Sequence, residues 1–374
     1  MPTSLQGLVS EVHGGQKSSL KSPSISNSQQ SDFFPRVAAA FDYFPHVQHF
    51  ETISLSHFFI SVFVTTLPTA MNVTYITLDG HLEIEKYRYV YFVFMFTSYV
   101  LILSSNSTVF CLIVIHRNLH EPMYVFIAAL LMNSMLFSTV VYPKLLIDFI
   151  SEKQIIAYEA CLFQMYLFYS LSGSEFLLLA AMAYDRYVSI CKPLQYPTIM
   201  RKRKVTVLLV LSWLVPACHL VVPAVLYAQL NLCSFTLKGI FCNSSVNYNF
   251  CVISRALYIY GLVMLFYLGI LPMVFILFTY TVIIIVACRS GGDVRKKAAQ
   301  TCLPHLLVLL NYSCLLTYDV IIVRLKSEIS KTVSFVMTLQ IIMYSPLFNP
   351  VVYGLKMKEI YKHLKRLLCH ARGK

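Results

Sequence analysis

The sequence predicts an all-α membrane protein: a bundle of seven transmembrane helices with the N-terminus outside and a short amphipathic helix after span seven. Three observations support this prediction. Hydrophobic residues make up 57% of the 374 residues and charged residues only 13%, whereas a soluble domain is roughly half apolar and about a quarter charged. The mean hydropathy is +0.66. The apolar residues form long runs, and the basic residues behind the net charge of +13 cluster between those runs.

Seven runs are long enough to cross a bilayer, whose hydrocarbon core requires roughly 20 apolar residues per helix. We number them spans one to seven and predict them at 89–115, 123–145, 162–184, 205–228, 257–287, 302–323 and 333–355. The runs are apolar on every side rather than at alternate positions, which excludes a membrane β-barrel. Prolines inside several runs predict kinks, which bundled membrane helices tolerate. The predicted bundle therefore occupies 89–355.

The distribution of basic residues sets the predicted orientation. With the N-terminus outside, eighteen of the thirty lysines and arginines lie on the inner side and twelve on the outer side, as the positive-inside rule requires. Nucleic acid is excluded as a partner, because its binding surfaces collect basic residues on one solvated face. The tail at 356–374 places leucines among basic residues and predicts a cytoplasmic amphipathic helix on anionic membrane lipid.

The chain before the first span divides into two parts. Residues 1–50 are rich in Ser, Gln and Pro and are typical of disorder, and the apolar stretch at 56–71 is too short to span. We expect Met71 to be the authentic start and 1–70 to be a disordered extension outside the mature protein; a genuine extension is the alternative. Residues 71–88 then form a short outer N-terminus with a glycosylation sequon at Asn72.

Four cysteines lie on the predicted outer side: Cys161, Cys233, Cys242 and Cys251. An even number of cysteines facing an oxidising compartment predicts two disulfides, for which three connectivities exist. A zinc site is the weaker alternative, because no CxxC pair or neighbouring histidine accompanies them.

Four motifs occur in order and in register with the spans. They are "LHEPMYVF" at the start of span two, "MAYDRYVSICKPLQY" at the end of span three, "KAAQTCLPHL" at the start of span six and "SPLFNPVVYGL" at the end of span seven. Together they resemble the odorant receptor family of G-protein-coupled receptors over about 80–370. The sequences "HEPMY", "TCLPH" and "MNVTYITLDG" are most similar to those of the fish branch of that family.

The resemblance implies the function. A receptor of this kind binds a small odorant, activates a stimulatory heterotrimeric G protein that raises cAMP, and resides in the plasma membrane, in the cilia of sensory neurons. It is not an enzyme, and the sequence contains no HExxH, GxSxG or phosphate-binding loop. A non-olfactory chemosensory receptor is the alternative; a transporter or channel is less favoured, because no internal repeat is visible.

The resemblance also implies the residues that switch the receptor. Asp185 and Arg186 hold the inactive state as a pair, although the same pair could simply anchor the helix at the interface. Pro350 removes a backbone donor, and Asn349 can fill the resulting gap or swing away. The implied activation residues are Asp185, Arg186, Tyr187, Tyr280, His305, Asn349, Pro350 and Tyr353.

A ligand pocket is implied between spans three, five and six, with disulfides Cys161–Cys242 and Cys233–Cys251 above it. Phe168 stands where amine receptors carry an aspartate, which argues against an amine ligand. Asp319 and Arg324 leave a charged, water-borne ligand open. The implied ligand-binding residues are Phe168, Tyr169, Ser172, Gly173, Met264, Leu265, Leu268, Tyr312, Ser313, Leu316 and Val320.

Glu175 is a carboxylic acid three helical turns inside span three, where a carboxylate is costly. It could be protonated, hydrogen-bonded, or paired with a sodium ion. The family often supplies a second carboxylate from span two, but Ser134 stands at that place. The sequence therefore leaves the sodium site open, and no other cofactor is expected.

Overall fold

The structure is a computed structural model that describes residues 74–252, 255–289, 306, 308–310, 312–313, 330–356, 360–362 and 365. Within this part of the chain, six helices are long and apolar enough to cross a membrane, and they correspond to spans one to five and span seven. Most of span six, predicted at 302–323, lies outside the described residues. So do the extension 1–70, Asn72 and most of the tail 356–374.

The six helices are longer than the predicted spans. They run over Ile84–Ile115, Pro122–Ile150, Tyr158–Cys191, Lys202–Ala228, Arg255–Arg289 and Lys331–Lys356. Short helical turns at Arg117–Leu119, Pro193–Gln195, Tyr196–Ile199 and Ser244–Asn249 occupy the loops. The helix of span three continues seven residues past the predicted end at 184. Asp185 and Arg186 therefore lie inside this helix rather than beyond its end.

Span five is interrupted by one π-helical turn. Its α-helical parts, Arg255–Leu265 and Leu271–Arg289, are joined by a π turn at Phe266–Ile270. Pro272 follows this turn and lacks the N–H that would otherwise bond to the carbonyl of Leu268. The loss of that hydrogen bond accounts for the wider turn at this place.

Span three is the central helix of the bundle, packing against spans two, four and five, while span seven packs against spans one and two. The interior contains two large apolar clusters. One surrounds Phe176, Tyr280 and Tyr353, toward Asp185. The other surrounds Phe137, Phe168 and Phe241 at the opposite end.

A three-stranded sheet closes the end of the bundle opposite Asp185, which we call the sheet end. Strand β1 (Tyr75–Leu78) lies between β2 (Ile155–Ala157), which is antiparallel to it, and β3 (Thr236–Leu237), which is parallel. The short outer N-terminus predicted at 71–88 therefore contains a strand that the sequence did not indicate. It pairs with the loop between spans two and three and with the loop between spans four and five. We call these the first and second loops of the sheet end.

Two disulfides fix the second loop of the sheet end, joining Cys161 to Cys242 and Cys233 to Cys251. These are the two pairs that the resemblance implies. The first bridge ties the loop to the start of span three. The second closes the loop on itself, where the amide N–H of Cys233 also donates to the carbonyl of Asn249 at 2.8 Å.

The backbones of Gly80 and Gly239 approach each other closely beside β1. The amide N–H of Gly80 donates to the carbonyl of Gly239 at 3.1 Å. A Cβ atom at Gly80 would lie 2.3 Å from the carbonyl carbon of Gly239. Only a residue without a side chain allows this contact.

We therefore expect Gly80→Ala to destabilise the sheet end by about 1–3 kcal/mol, because the backbones must separate to admit the methyl group. The measurement is the thermal unfolding midpoint of the full chain in lipid nanodiscs. Gly269→Ala is the matched control, since its added Cβ would meet its nearest neighbour, Leu265 Cδ1, at 3.7 Å. Equal midpoints for the two variants would contradict the argument.

Candidate ligand-binding and signalling site

Glu175 is buried between spans two, three and seven and is surrounded by hydrogen-bond donors. The Ser345 hydroxyl donates to its Oε1, and Asn349 Nδ2 donates to the same oxygen at 3.2 Å. Asn349 Nδ2 also donates to Ser134 Oγ at 2.8 Å. We call Ser134, Glu175, Ser345 and Asn349 the polar layer. A buried carboxyl group needs such partners, because its desolvation costs several kcal/mol.

A hydrogen bond that span seven lacks within its own backbone is replaced by one from span one. Pro350 lacks an N–H and so leaves the carbonyl of Pro346 without its helical donor. Asn106 Nδ2 donates to that carbonyl at 2.9 Å. Asn106 fills this gap, and Asn349 takes the second of the two arrangements expected from the sequence, turned away from it. Asn349 is thereby available for the polar layer.

Asn133 connects three spans just beside the polar layer. Its Nδ2 donates to the carbonyl of Leu171 at 3.1 Å, and its Oδ1 accepts from Trp213 Nε1 at 3.3 Å. Spans two, three and four are therefore joined by one buried amide. The depth of span three relative to its neighbours is fixed by polar contacts at this level.

Phe168 lies in an aromatic layer above the polar layer. Its ring centroid is 5.0 Å from that of Phe137, 5.1 Å from that of Tyr169 and 4.8 Å from that of Phe241. Phe168 and Phe241 are fully buried. The predicted pocket residue Phe168 is thus covered by an aromatic residue of the second loop.

The second loop is held against span three at three points. Cys242 is bonded to Cys161, and its amide N–H donates to Gln164 Oε1 at 3.0 Å. The amide N–H of Ser244 donates to the Tyr169 hydroxyl at 2.9 Å. The loop backbone therefore follows one face of span three, which places Phe241 over Phe168.

Below the aromatic layer, the predicted pocket residues lie on facing helices. Ser172 is buried and donates to the carbonyl of Phe168 at 2.7 Å. A Cβ at Gly173 would lie 3.1 Å from Pro216 Cβ and 3.5 Å from Leu268 Cδ1. Gly173 thus lets spans four and five approach span three. Met264 and Leu268 are buried, and Leu265 is half-buried.

Two predicted residues of span six are described. Tyr312 and Ser313 are buried, and the Tyr312 ring lies 5.0 Å from that of Phe176. Tyr312 is therefore next to the polar layer rather than in the aromatic layer. Other predictions on this span lie outside the described residues: Leu316, Val320, His305, Asp319 and Arg324.

At the opposite end of span three, Asp185 is fully buried and has two partners. Arg186 Nη2 lies 2.6 Å from its Oδ2, and the Tyr196 hydroxyl donates to its Oδ1 at 2.9 Å. Burial, and then the charge of Asp185, raise the pKa of Tyr196. The phenol therefore stays protonated and remains a donor to the carboxylate throughout the physiological range.

The remaining activation residues occupy the apolar cluster around Asp185. Tyr280 and Tyr353 are buried in it, Pro350 is buried in span seven, and Tyr187 is half-buried against the cluster. In this structure the Arg186 guanidinium pairs with Asp185, the arrangement that the resemblance assigns to the inactive state.

Several residues of the site were missed from the sequence alone. Tyr196 and Gln164 gain their roles only through contacts that the fold creates, and Phe241 is one aromatic among many. Lys144 and Asp148 were visible as an i,i+4 pair, and the structure joins them as a buried ion pair at the sheet end of span two. Apolar flanks and charge spacing could have identified this pair.

The described residues include no group of three or more histidine, cysteine, aspartate or glutamate side chains arranged for a metal ion. The polar layer offers oxygen atoms instead. Asn349 Oδ1 is buried without a hydrogen bond, on the same amide whose Nδ2 donates to Glu175 and Ser134. Such a donor set suits a hard cation such as sodium or, equally, water.

Comparison with known proteins gives consistent matches. A family model described as "Olfactory receptor" matches residues 93–371. Human Olfactory receptor 11A1 is 32% identical over 302 residues, covering 79% of this chain and 94% of that protein. Human Olfactory receptor 4K3 is 31% identical over 304 residues, covering 78% and 91%. Mouse Olfactory receptor 4M1 is 29% identical over 308 residues, covering 79% and 95%.

Proposed function

The chain belongs to the olfactory receptor family of G-protein-coupled receptors, and we propose that it binds a small odorant between spans three, five and six and activates a stimulatory G protein that raises cAMP. It is a multi-pass plasma membrane receptor and not an enzyme. The observation that carries the proposal is the aromatic layer of Phe168 and Phe241 directly above the polar layer.

The proposed orientation puts the sheet end outside the cell. Both disulfides lie at that end, and disulfides persist in an oxidising compartment. By sequence, eighteen of the thirty lysines and arginines fall on the side of the other end, among them the exposed Lys192 and Arg201 to Arg203. This asymmetry follows the positive-inside rule.

The ligand region suits a small, mainly apolar molecule. Phe168, Met264 and Leu268 provide buried apolar surface, and Ser172 and Tyr169 provide hydroxyl groups. Apolar walls with a few polar atoms are typical of small-molecule sites. Phe241 covers this region from the side of the second loop, which we call the roof of the region. The disulfide between Cys161 and the adjacent Cys242 holds Phe241 in this position.

The proposed signalling surface is the Asp185 end. Leu194, in the loop after span three, is 96% exposed although it is apolar. Arg201 and Lys202 are exposed nearby in sequence. An apolar side chain beside basic ones is suited to a partner surface that has an apolar pocket surrounded by acidic residues. This surface chemistry supports the proposed coupling to a G protein.

Glu175 is the proposed site of a sodium ion in the inactive receptor. The buried oxygen atom of Asn349 that makes no hydrogen bond supports this proposal. When bound, the ion would compensate the charge of Glu175. The chain itself supplies the Ser345 hydroxyl and the Asn349 amide, which already stabilise the carboxylate; a protonated carboxyl group is the alternative.

The first prediction from the proposed function concerns the pocket. Phe168→Ala and Phe241→Ala should each raise the odorant concentration for half-maximal cAMP response about tenfold or more, because each removes apolar contact worth about 1.5–3 kcal/mol. The measurement is a panel of odorants on transfected cells at matched surface expression. Phe163→Ala is the control, since Phe163 lies on the same helix but is 41% exposed. Unchanged responses in both pocket variants would refute this pocket.

The second prediction concerns the Asp185 pair. Tyr196→Phe removes the hydrogen bond to Asp185 Oδ1 and should raise ligand-independent cAMP several-fold, because a hydrogen bond to a charged group contributes about 1.5–3 kcal/mol when buried and less when half-exposed. Tyr158→Phe is the control, since it deletes a tyrosine hydrogen bond at the sheet end, to the carbonyl of Tyr227. A ligand-independent cAMP level in Tyr196→Phe equal to that of the wild type would contradict the role of Tyr196 in holding Asp185.

The third prediction separates sodium from a proton at Glu175. If sodium binds, replacing sodium by a large organic cation should increase basal cAMP in the wild type and have no effect in Glu175→Gln. The variant keeps the size of the side chain but removes its charge. If the basal cAMP level of the wild type does not depend on sodium at constant ionic strength, the sodium site is refuted. The protonated carboxyl group then remains.

A further inference from the structure

The junction between β1 and span one contains a buried histidine. His81 is only 8% exposed, and its ring lies 5.6 Å from that of Phe149 in an edge-on contact. Within the described residues neither ring nitrogen meets full hydrogen-bond geometry, and the only backbone group close enough to favour the protonated ring is that of Leu78. The site is therefore built for the neutral, apolar form of imidazole.

His81 anchors the strand that precedes it. Next to it, the amide N–H of Asp79 donates to the carbonyl of Leu237, and that of Gly80 donates to Gly239. After it, Glu83 adopts a left-handed conformation with φ 41° at the start of span one. Bonded backbone lies on one side of His81 and a residue with positive φ on the other, so we expect departure of the ring to disturb the neighbouring strand contacts.

Protonated His81 would sit among other cations. Lys144 of span two and Lys331 of span seven both disfavour the charged ring, while the backbone of Leu78 and the carboxylate of Asp79 favour it; burial outweighs these two and lowers the pKa. Each lysine already has an acidic partner: Lys144 pairs with Asp148, and Lys331 Nζ lies 2.9 Å from Asp79 Oδ1. The charged groups on the elements around His81 are Asp79 and Glu83 on its own segment, Lys144 and Asp148 on span two, Lys331 on span seven, and exposed Lys238 on the second loop.

We propose that His81 is an acid-sensitive latch of the sheet end: the neutral ring keeps β1 seated between β2 and β3, and the protonated ring leaves its site and releases the strand. Strand β1 pairs with β3, which belongs to the second loop and precedes Phe241, the residue that lies over Phe168, by four residues. Release of β1 therefore loosens the roof above the proposed ligand region. The latch operates whichever odorant the receptor binds.

The sign and size of the response follow from burial. Burial lowers the pKa of His81 from 6.5 to about 4, and Lys144 and Lys331 act in the same direction. Above pH 6.5 the ring is neutral whether the sheet is closed or open. Between pH 6.5 and about 4 the open form binds the proton more readily, so the ratio of closed to open form falls, by about 30-fold at pH 5.

The test is amide hydrogen exchange of the full chain in lipid nanodiscs at pH 7.5 and pH 5.0, with exposure times corrected for the intrinsic pH dependence of exchange. We expect protection of peptides covering 74–81 to fall about 30-fold in the wild type. His81→Phe, which keeps an apolar ring and cannot be protonated, should keep its protection at both pH values. His120→Gln, at the other end of the bundle, should respond to pH as the wild type does.

His81→Gln provides a second neutral variant if the phenylalanine does not fit, and it too should lose the pH response. Wild-type protection that is the same at both pH values would overturn the latch. So would a pH response in either folded His81 variant equal to that of the wild type. None of these measurements requires a ligand, so failure of the latch and failure of the proposed odorant site are distinguishable.

Discussion

The buried carboxyl group of Glu175 is the constraint on which the interior arrangement depends. A group that is costly to desolvate must find donors, and span three cannot supply them from its own backbone. They come from span seven, through Ser345 and Asn349, and Asn349 in turn bonds to Ser134 on span two. One acidic residue thus fixes the rotation and depth of three helices.

The polar layer also explains how a helix with two internal prolines is stable in the bundle. Span seven contains Pro346 and Pro350, and each proline removes a backbone donor. The carbonyl left by Pro350 is satisfied by Asn106 of span one, which frees Asn349 for Glu175. Span seven is therefore held by side-chain amides where its own ladder is interrupted. Such bonds can be exchanged without unfolding the helix.

The sequence predicted what depends on local composition and missed what depends on distant contacts. Lipid burial demands contiguous apolar residues, so the positions of six spans were readable from run length. The hydrogen bond between Ser345 and Glu175 joins residues 170 positions apart, and nothing in either neighbourhood indicates it. The sheet was missed for the same reason: β1 is a four-residue strand whose partners lie in two other loops. Asp185 and Arg186 were identified by motif, but their tyrosine partner depends on the fold of the following loop.

The placement of the polar layer bears on how a ligand could influence the Asp185 end. Ser172 and Gly173 precede Glu175 by three and two residues, so the floor of the proposed pocket and the carboxyl group lie within one turn of span three. Asn349, which bonds to Glu175, is four residues before Tyr353, which is buried in the same apolar cluster as Tyr280. A shift of span three by a fraction of a turn must therefore change the contacts of Asn349, and with them the position of Tyr353. Because span seven is interrupted at Pro350, such a shift can be accommodated by a bend at that point rather than by displacement of the whole helix.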